Sequence, residues 1–395
     1  MYLTKLQESM LKGEFGPAVQ KAMEILVSLG DALGAEKLIP ITSAHVSGVS
    51  YASIGDAGLS FIEDFASLGA KSRVITTINP AGADLMKWRR MGISEEFYEK
   101  QLRIINAFRK MGFQITCTCT PYLIDNCPNS GDHIAWAESS AIVYVNSVIG
   151  AKTNRESGPS AIASAITGYT PYCGYHLESN RVPSHRVKVN LKINTLLKAS
   201  ALGYLIGQEL ITGIPLLENL ELQQDAKKDL LKAISAGLAT SGGISLFYLE
   251  GKRIFPSRLE EYCVDRKDLL NIIEHFQECK IPEYIFIGCP HCSLSEIREL
   301  ALMLGAQKIK KNVDFWIFTS REIFEKARAY GYVKVIEHAG IKVFCDTCPV
   351  VMPNEIIYNA EIITNSCKAA HYLTSLKKAK VTLMDLRSII KLFTR

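Results

Sequence analysis

Apolar residues recur at helical spacing over 17–33 (PAVQKAMEILVSLGDAL) and over 94–111 (SEEFYEKQLRIINAFRKM), and both stretches read as amphipathic helices. Short apolar, β-rich runs lie between and after them: KLIPITS, SRVITTIN and FQITCTC. A long helical pattern follows over 132–149. Beyond it come RVKVNLKIN, ISLFYLE, YIFIG, DFWIF and IKVFC, separated by helical segments. Such an alternation predicts an α/β chain whose mainly parallel sheets are flanked by helices. Boundaries are weakly marked. The break from Leu249 to Pro256 places a soft division near 255, giving an N-terminal region 1–255 and a C-terminal region 256–395. No internal repeat, low-complexity tract or heptad array interrupts this picture.

Composition narrows the class. A chain of 395 residues, 48% hydrophobic and 22% charged, can build a large core, and at about 150 residues per domain it holds two or three. Lys+Arg 45 against Asp+Glu 40 leaves a net charge of +5 without a long basic run, so nothing favours nucleic acid as a partner. The opening MYLTKLQESMLKGEFG lacks an apolar core of signal-peptide length, and no run is long and apolar enough to span a membrane. The expectation is a soluble, cytoplasmic protein.

The 11 cysteines change the picture, because an unsecreted chain of this size does not use them as a disulfide scaffold. In three places an apolar run ends in Cys with Pro close behind: FQITCTCTPY, YIFIGCPHCS and IKVFCDTCPV. Ligands of open α/β sheets bind beyond the carboxyl ends of the strands, so Cys119, Cys289 and Cys348 could meet in one crevice although far apart in sequence. Ser293 and Glu296 form a capping box just after the second loop, which would turn a helix N-terminus toward the same place. Two other readings compete. The pairs Cys289/Cys292 and Cys345/Cys348 suggest structural zinc, but they stand roughly 50 residues apart against ~15–20 in zinc ribbons. CPHC alone has the shape of a thioredoxin-like pair, which leaves the other two loops unexplained. A cluster held by three cysteines uses all three loops.

Three polar segments carry further chemistry. HIAWAESSAIVYVNSVIGAKTNRESGPSA places Glu138, Ser139, Ser140 and Asn146 on an apolar helical pattern that exits through Lys152, Asn154, Arg155 and Glu156. It reads either as a binding end or as a packed helix with a solvated C-terminus. ITSAHVSGVSYASIGDAG follows a predicted strand with Gly48, Gly55 and Gly58, a loop suited to backbone contacts with an anion but without a phosphate-loop spacing. TNSCKAAHY gathers Asn365, Ser366, Lys368 and His371 at a strand end, with Cys367 the cysteine most easily mistaken for a ligand.

With TCTPY, HIAWAESSAIVYVNSVIGAKTNRE, GCPHCS, DTCPV and TNSCKAAHY in one order, the sequence resembles the aconitase X family over most of its length, from about Ser43 to His371. The resemblance implies several α/β lobes around a 4Fe-4S cluster, with Cys119, Cys289 and Cys348 as its ligands. It implies a hydro-lyase that dehydrates (R)-5-phosphomevalonate to trans-anhydromevalonate 5-phosphate in an archaeal mevalonate route. A small swivelling domain, a separate subunit in archaeal members, would close over the cluster and supply a Ser as base, so no catalytic base is assigned to this chain. Contacts to the phosphorylated carboxylate substrate fall to Lys152, Arg155 and Lys368, with Asn146, Asn154 and Ser366 beside them and His45, Ser47 and Gly48 as a weaker anion loop. Gly131-Asp132-His133 departs mildly from a Gly-Glu-His segment of the family. The alternatives are a hydroxyproline-type dehydratase of the same family and a zinc-stabilised, non-catalytic binding subunit.

Overall fold

Mainly parallel sheets, as the run pattern predicts, organise the computed structural model of the chain, which describes residues 1–251, 259–310 and 312–395. The first is three-stranded, with Ser43–Val46 between Ile75–Ile78 and Ala135–Trp136, both pairings parallel. The second is four-stranded and parallel, in the order Tyr248–Leu249, Pro215–Glu218, His185–Val189, Glu260–Val264. The third is five-stranded and parallel, in the order Lys342–Cys345, Asp314–Thr319, Tyr284–Cys292, Glu361–Thr364, Lys380–Leu383. One cluster of buried apolar side chains, from Ala83 to Leu383, runs through all three units, so the lobes share a core. No helix among the described residues is long and apolar enough to cross a membrane.

The strand order of the third sheet fixes where a ligand belongs. Its first strand, Tyr284–Cys292, is central; the chain then builds outward through Asp314–Thr319 and Lys342–Cys345 before crossing back to Glu361–Thr364 on the other side. The loops after Tyr284–Cys292 and Glu361–Thr364 therefore diverge at a switch point, where open α/β sheets leave a crevice. The second lobe supports this crevice from behind. Its helices Leu196–Leu210 and Lys227–Gly242 pack so closely that a Cβ at Gly237 would lie 2.4 Å from the Tyr204 amide nitrogen. Only glycine allows that approach.

Several predicted elements differ from those observed. The helices at Pro17–Ala32 and Glu95–Lys110 form as predicted, the latter capped by Ser94. KLIPITS is divided between two short strands, Leu38–Pro40 and the start of Ser43–Val46. FQITCTC is no regular strand: it follows Ile75–Ile78 through Gln114 N–H to Thr76 O (2.8 Å) and Thr118 N–H to Ile78 O (3.0 Å), but Cys117 at φ 42° breaks the ladder. The pattern at 132–149 is helical only from Ser139, because Ala135–Trp136 pairs with the first sheet and Glu138 caps the helix by accepting from the Ser140 amide. The second half of ITSAHVSGVSYASIGDAG, read as a glycine loop, instead begins the helix Tyr51–Ser67, kinked at Gly55. The soft division near 255 lies outside the described residues.

Candidate functional site

Each of the three Cys-Pro loops leaves its sheet by a local irregularity. Strand Tyr284–Cys292 keeps register with its neighbour up to Ile287 opposite Ile317 and then jumps to Cys292 opposite Thr319. Gly288 makes the departure, at φ 112° and so close to Phe318 that a Cβ would stand 2.2 Å from its carbonyl oxygen. The bulge turns Cys289 out of the ladder toward the adjacent strand end, where Ser366 hydrogen-bonds its thiol. Ser366 also caps the helix Cys367–Lys377 by accepting from the Ala369 amide at 3.2 Å. Cys348 follows Lys342–Cys345 after a turn at Asp346 (φ 65°), pinned to the first lobe by Ala81 N–H to Asp346 O at 2.7 Å. Cys119 comes from the first lobe, and its sulfur accepts the His291 amide at 3.2 Å.

The three sulfurs share one buried space. Burial is the largest influence on each thiol and pushes Cys119, Cys289 and Cys348 up to about 12. Cys348 adds to the shift of Cys119, Cys119 to that of Cys289 and Cys289 to that of Cys348, while the Lys368 charge opposes it in all three. Neutral thiols are therefore favoured until a cation joins them. One buried hydroxyl without a partner among the described residues, Tyr122 Oη, feels the charge of Cys119; the Thr347 hydroxyl, in the residue before Cys348, is also buried and unpartnered. Three thiols from three loops with an idle hydroxyl beside Cys119 suit a sulfide-bearing group. Among the described residues no three His, Cys, Asp or Glu gather tightly enough around one point to hold a single ion. Cys292 lies against Glu296 and Lys232 and also feels the charge of Cys119, and Cys345 lies against Arg321, Asp346 and Asp84.

Beside the sulfurs stands a buried ion pair. Lys368 Nζ donates to Glu138 Oε1 at 2.5 Å, while Asn79 Nδ2 donates to Oε2 and Ser140 Oγ to Oε1, both at 2.8 Å. Burial alone would favour a neutral Glu138, but the Lys368 charge and these hydrogen bonds outweigh it and hold the carboxyl at about 2. Burial likewise works against the Lys368 ammonium, and Glu138 with the nearby thiols more than compensates, raising its pKa. The chain of contacts continues inward. Asn79 Oδ1 meets His45 Nε2 at 3.0 Å and His45 Nδ1 meets Thr77 Oγ1 at 2.8 Å. Since Asn79 gives its amide protons to Glu138, its oxygen accepts from His45, which desolvation keeps neutral with a pKa of about 4.

Of the residues singled out in the sequence, Cys119, Cys289, Cys348, Glu138, Ser140, Ser366 and Lys368 come together, and His45 lies behind them. Ser47 and Gly48 follow the strand end on the same side, where Ser50 Oγ donates to Val351 O at 2.7 Å, just past Cys348. The rest of the polar segment is engaged elsewhere. The Asn146 amide donates to Thr153 O and Ser245 O, both at 3.0 Å, and its oxygen accepts from the Thr153 amide and from Arg181. Lys152 pairs with Glu178 at 2.7 Å, Asn154 accepts from the Tyr175 amide at 2.7 Å, and Arg155 donates to Gly243 O at 3.0 Å. Asn79 and His291 adjoin the site but were not singled out. The signal for Asn79 is a polar residue directly after an apolar strand and before Pro80.

Comparison with known proteins follows the same geometry. Family models for aconitase X match the chain in three segments: the first domain at 1–179, the second at 183–274 and the third at 282–395. The phosphomevalonate dehydratase large subunit of Methanocaldococcus jannaschii is 46% identical, with 99% of this chain and 100% of that protein covered. The cis-3-hydroxy-L-proline dehydratase of Pseudomonas aeruginosa is 31% identical, covering 98% of this chain and 69% of its own length. The crystal structure of Thermococcus kodakaraensis aconitase X (holo-form) superposes with a TM-score of 0.92 at 43% identity, and all of both chains is covered.

Proposed function

The chain belongs to the aconitase X family, and from that premise we propose that it is the iron-sulfur large subunit of a hydro-lyase that converts (R)-5-phosphomevalonate to trans-anhydromevalonate 5-phosphate. The relative named a phosphomevalonate dehydratase large subunit supports this substrate over hydroxyproline, with 46% identity over the whole of its length against 31%. The observation that carries the reading is the meeting of Cys119, Cys289 and Cys348 in one buried space beside the Lys368–Glu138 pair. These thiols would hold a 4Fe-4S cluster, which when bound supplies a Lewis acid for the departing hydroxyl and the substrate carboxylate.

The chain's own groups do the rest. Lys368, kept charged by Glu138, draws an anionic substrate into the crevice and offers the proton not given to Glu138 and Ser140 to a carboxylate. Ser366 sits against Cys289 at the same strand end. Ser47 and Gly48 are assigned to the substrate's anionic groups, with Asn146 and His45 holding their surroundings in place; Lys152, Asn154 and Arg155 would join them only by leaving Glu178, Tyr175 and Gly243, which hold them in this structure. The proton beside the carboxylate is removed by a Ser of a small partner subunit, in the cytoplasm of an archaeal cell. Turnover tests the proposal. Cluster-loaded chain mixed with its small partner should give a new alkene proton signal by NMR from (R)-5-phosphomevalonate and none from cis-3-hydroxy-L-proline. The reverse preference, or no product from either, would overturn it.

A further inference from the structure

His291 touches all three cysteine loops at once. It lies two residues past Cys289, and its backbone amide donates to Cys119 Sγ at 3.2 Å. Its ring reaches the residue before each of the other two cysteines: Nδ1 meets Thr118 Oγ1 at 3.0 Å and Nε2 meets Thr347 O at 2.8 Å. A carbonyl only accepts, so Nε2 carries a proton, and the Thr118 hydroxyl then donates to Nδ1. Thr118 in turn accepts from the Thr120 amide at 3.2 Å, which fixes its direction. The His291 carbonyl accepts from Lys232 Nζ at 2.9 Å, and that ammonium is buried against Glu296 and Asp229. Both peptide groups and both ring nitrogens of one fully buried residue are thus spent on tying the first lobe, the second lobe and two loops of the third together.

From this geometry we infer that His291 is the positioning residue that sets the spacing of Cys119, Cys289 and Cys348, so that the three sulfurs stand ready before a cluster is bound. The inference rests on the cluster reading above. Preorganisation matters because three loops from two lobes must otherwise be ordered at the moment of binding, and removing groups that orient metal ligands weakens retention by about 10–100-fold. Thr118 is the second arm of the same device, since it passes the constraint to Cys119.

Two substitutions separate positioning from folding. His291→Ala removes both ring contacts; Thr118→Val keeps the shape of the side chain and removes the His291 contact together with the one from the Thr120 amide. Anaerobically reconstituted full chain is challenged with an iron chelator, at a temperature where circular dichroism shows every variant folded. Iron loss should be about 10-fold faster in Thr118→Val and up to about 100-fold faster in His291→Ala. The electron paramagnetic resonance signal of the reduced cluster should shift in both, which a general loss of stability would not produce. Should His291→Ala fail to fold, Thr118→Val decides alone. Wild-type retention and an unchanged signal in Thr118→Val would overturn the role of His291 while leaving the cluster standing. Absence of acid-labile sulfide in the unaltered chain would remove the cluster reading and this inference together.

Discussion

Glu138 and Lys368 carry the sharpest expectation at the scale of single residues, because each neutralises the other where both are buried. Breaking such a pair leaves a buried charge without compensation, which costs about 3–5 kcal/mol. Glu138→Gln and Lys368→Met should each lower the denaturation midpoint of the cluster-free chain markedly, and the double variant should recover part of the loss. Additive losses in that cycle would show that the two groups act separately. The pH dependence has a defined sign. Glu138 is depressed from 4.5 to about 2, so its contribution is fully present above pH 4.5 and disappears as pH falls through about 2. The meeting of the three Cys-Pro loops was legible in the sequence because each combines an apolar run with a following Pro. Asn79 and His291 were not, since their roles depend on which loops the fold brings together, and neither residue type signals that by itself.

At the scale of elements, irregularity builds the site. The bulge at Gly288, the turn at Cys117 and the turn at Asp346 each redirect a chain that periodicity alone would continue as strand. Gly288→Ala should be severe, since the left-handed φ and a Cβ 2.2 Å from Phe318 O cannot both be relieved without moving the central strand. We expect a loss of about 3 kcal/mol or more in chemical denaturation and loss of cluster retention; a variant as stable as the parent would show that the bulge tolerates a side chain. Strands with unbroken apolar runs, such as Asp314–Thr319 and Lys342–Cys345, were readable. The misreadings have a common cause. FQITCTC and the first half of 132–149 have local patterns that fit a regular element, while their backbone follows partners in the neighbouring sheet instead.

At the scale of the whole molecule, the carboxyl ends of the first and third sheets face each other, and a helix of the second lobe braces the meeting point through Lys232. The α/β class was legible because helices and apolar runs alternate throughout; the meeting of the lobes was not, being a product of strand order. Buried neutral histidines make the assembly acid-sensitive. His45 falls from 6.5 to about 4 and His176 from 6.5 to about 3, both chiefly through desolvation. The unfolded chain takes up protons first, so stability declines as pH drops below 6.5 toward about 4, by up to about 3 kcal/mol for His45. Denaturation midpoints measured across that window should fall steadily, and more gently in His45→Gln. Catalysis should also belong to the assembly. Cluster-loaded chain alone should be inactive at the iron content that supports turnover once the small partner is added, because the proposed base lies on that partner; full turnover by the isolated chain would place the base here.

Iron and acid-labile sulfide in the anaerobically reconstituted chain test the cysteine crevice most directly. About four of each per chain are expected, with near-complete loss in each of Cys119→Ser, Cys289→Ser and Cys348→Ser and most of both retained in Cys367→Ser. Stoichiometric zinc without sulfide, or undiminished sulfide in any of the three variants, would contradict a cluster held by these residues.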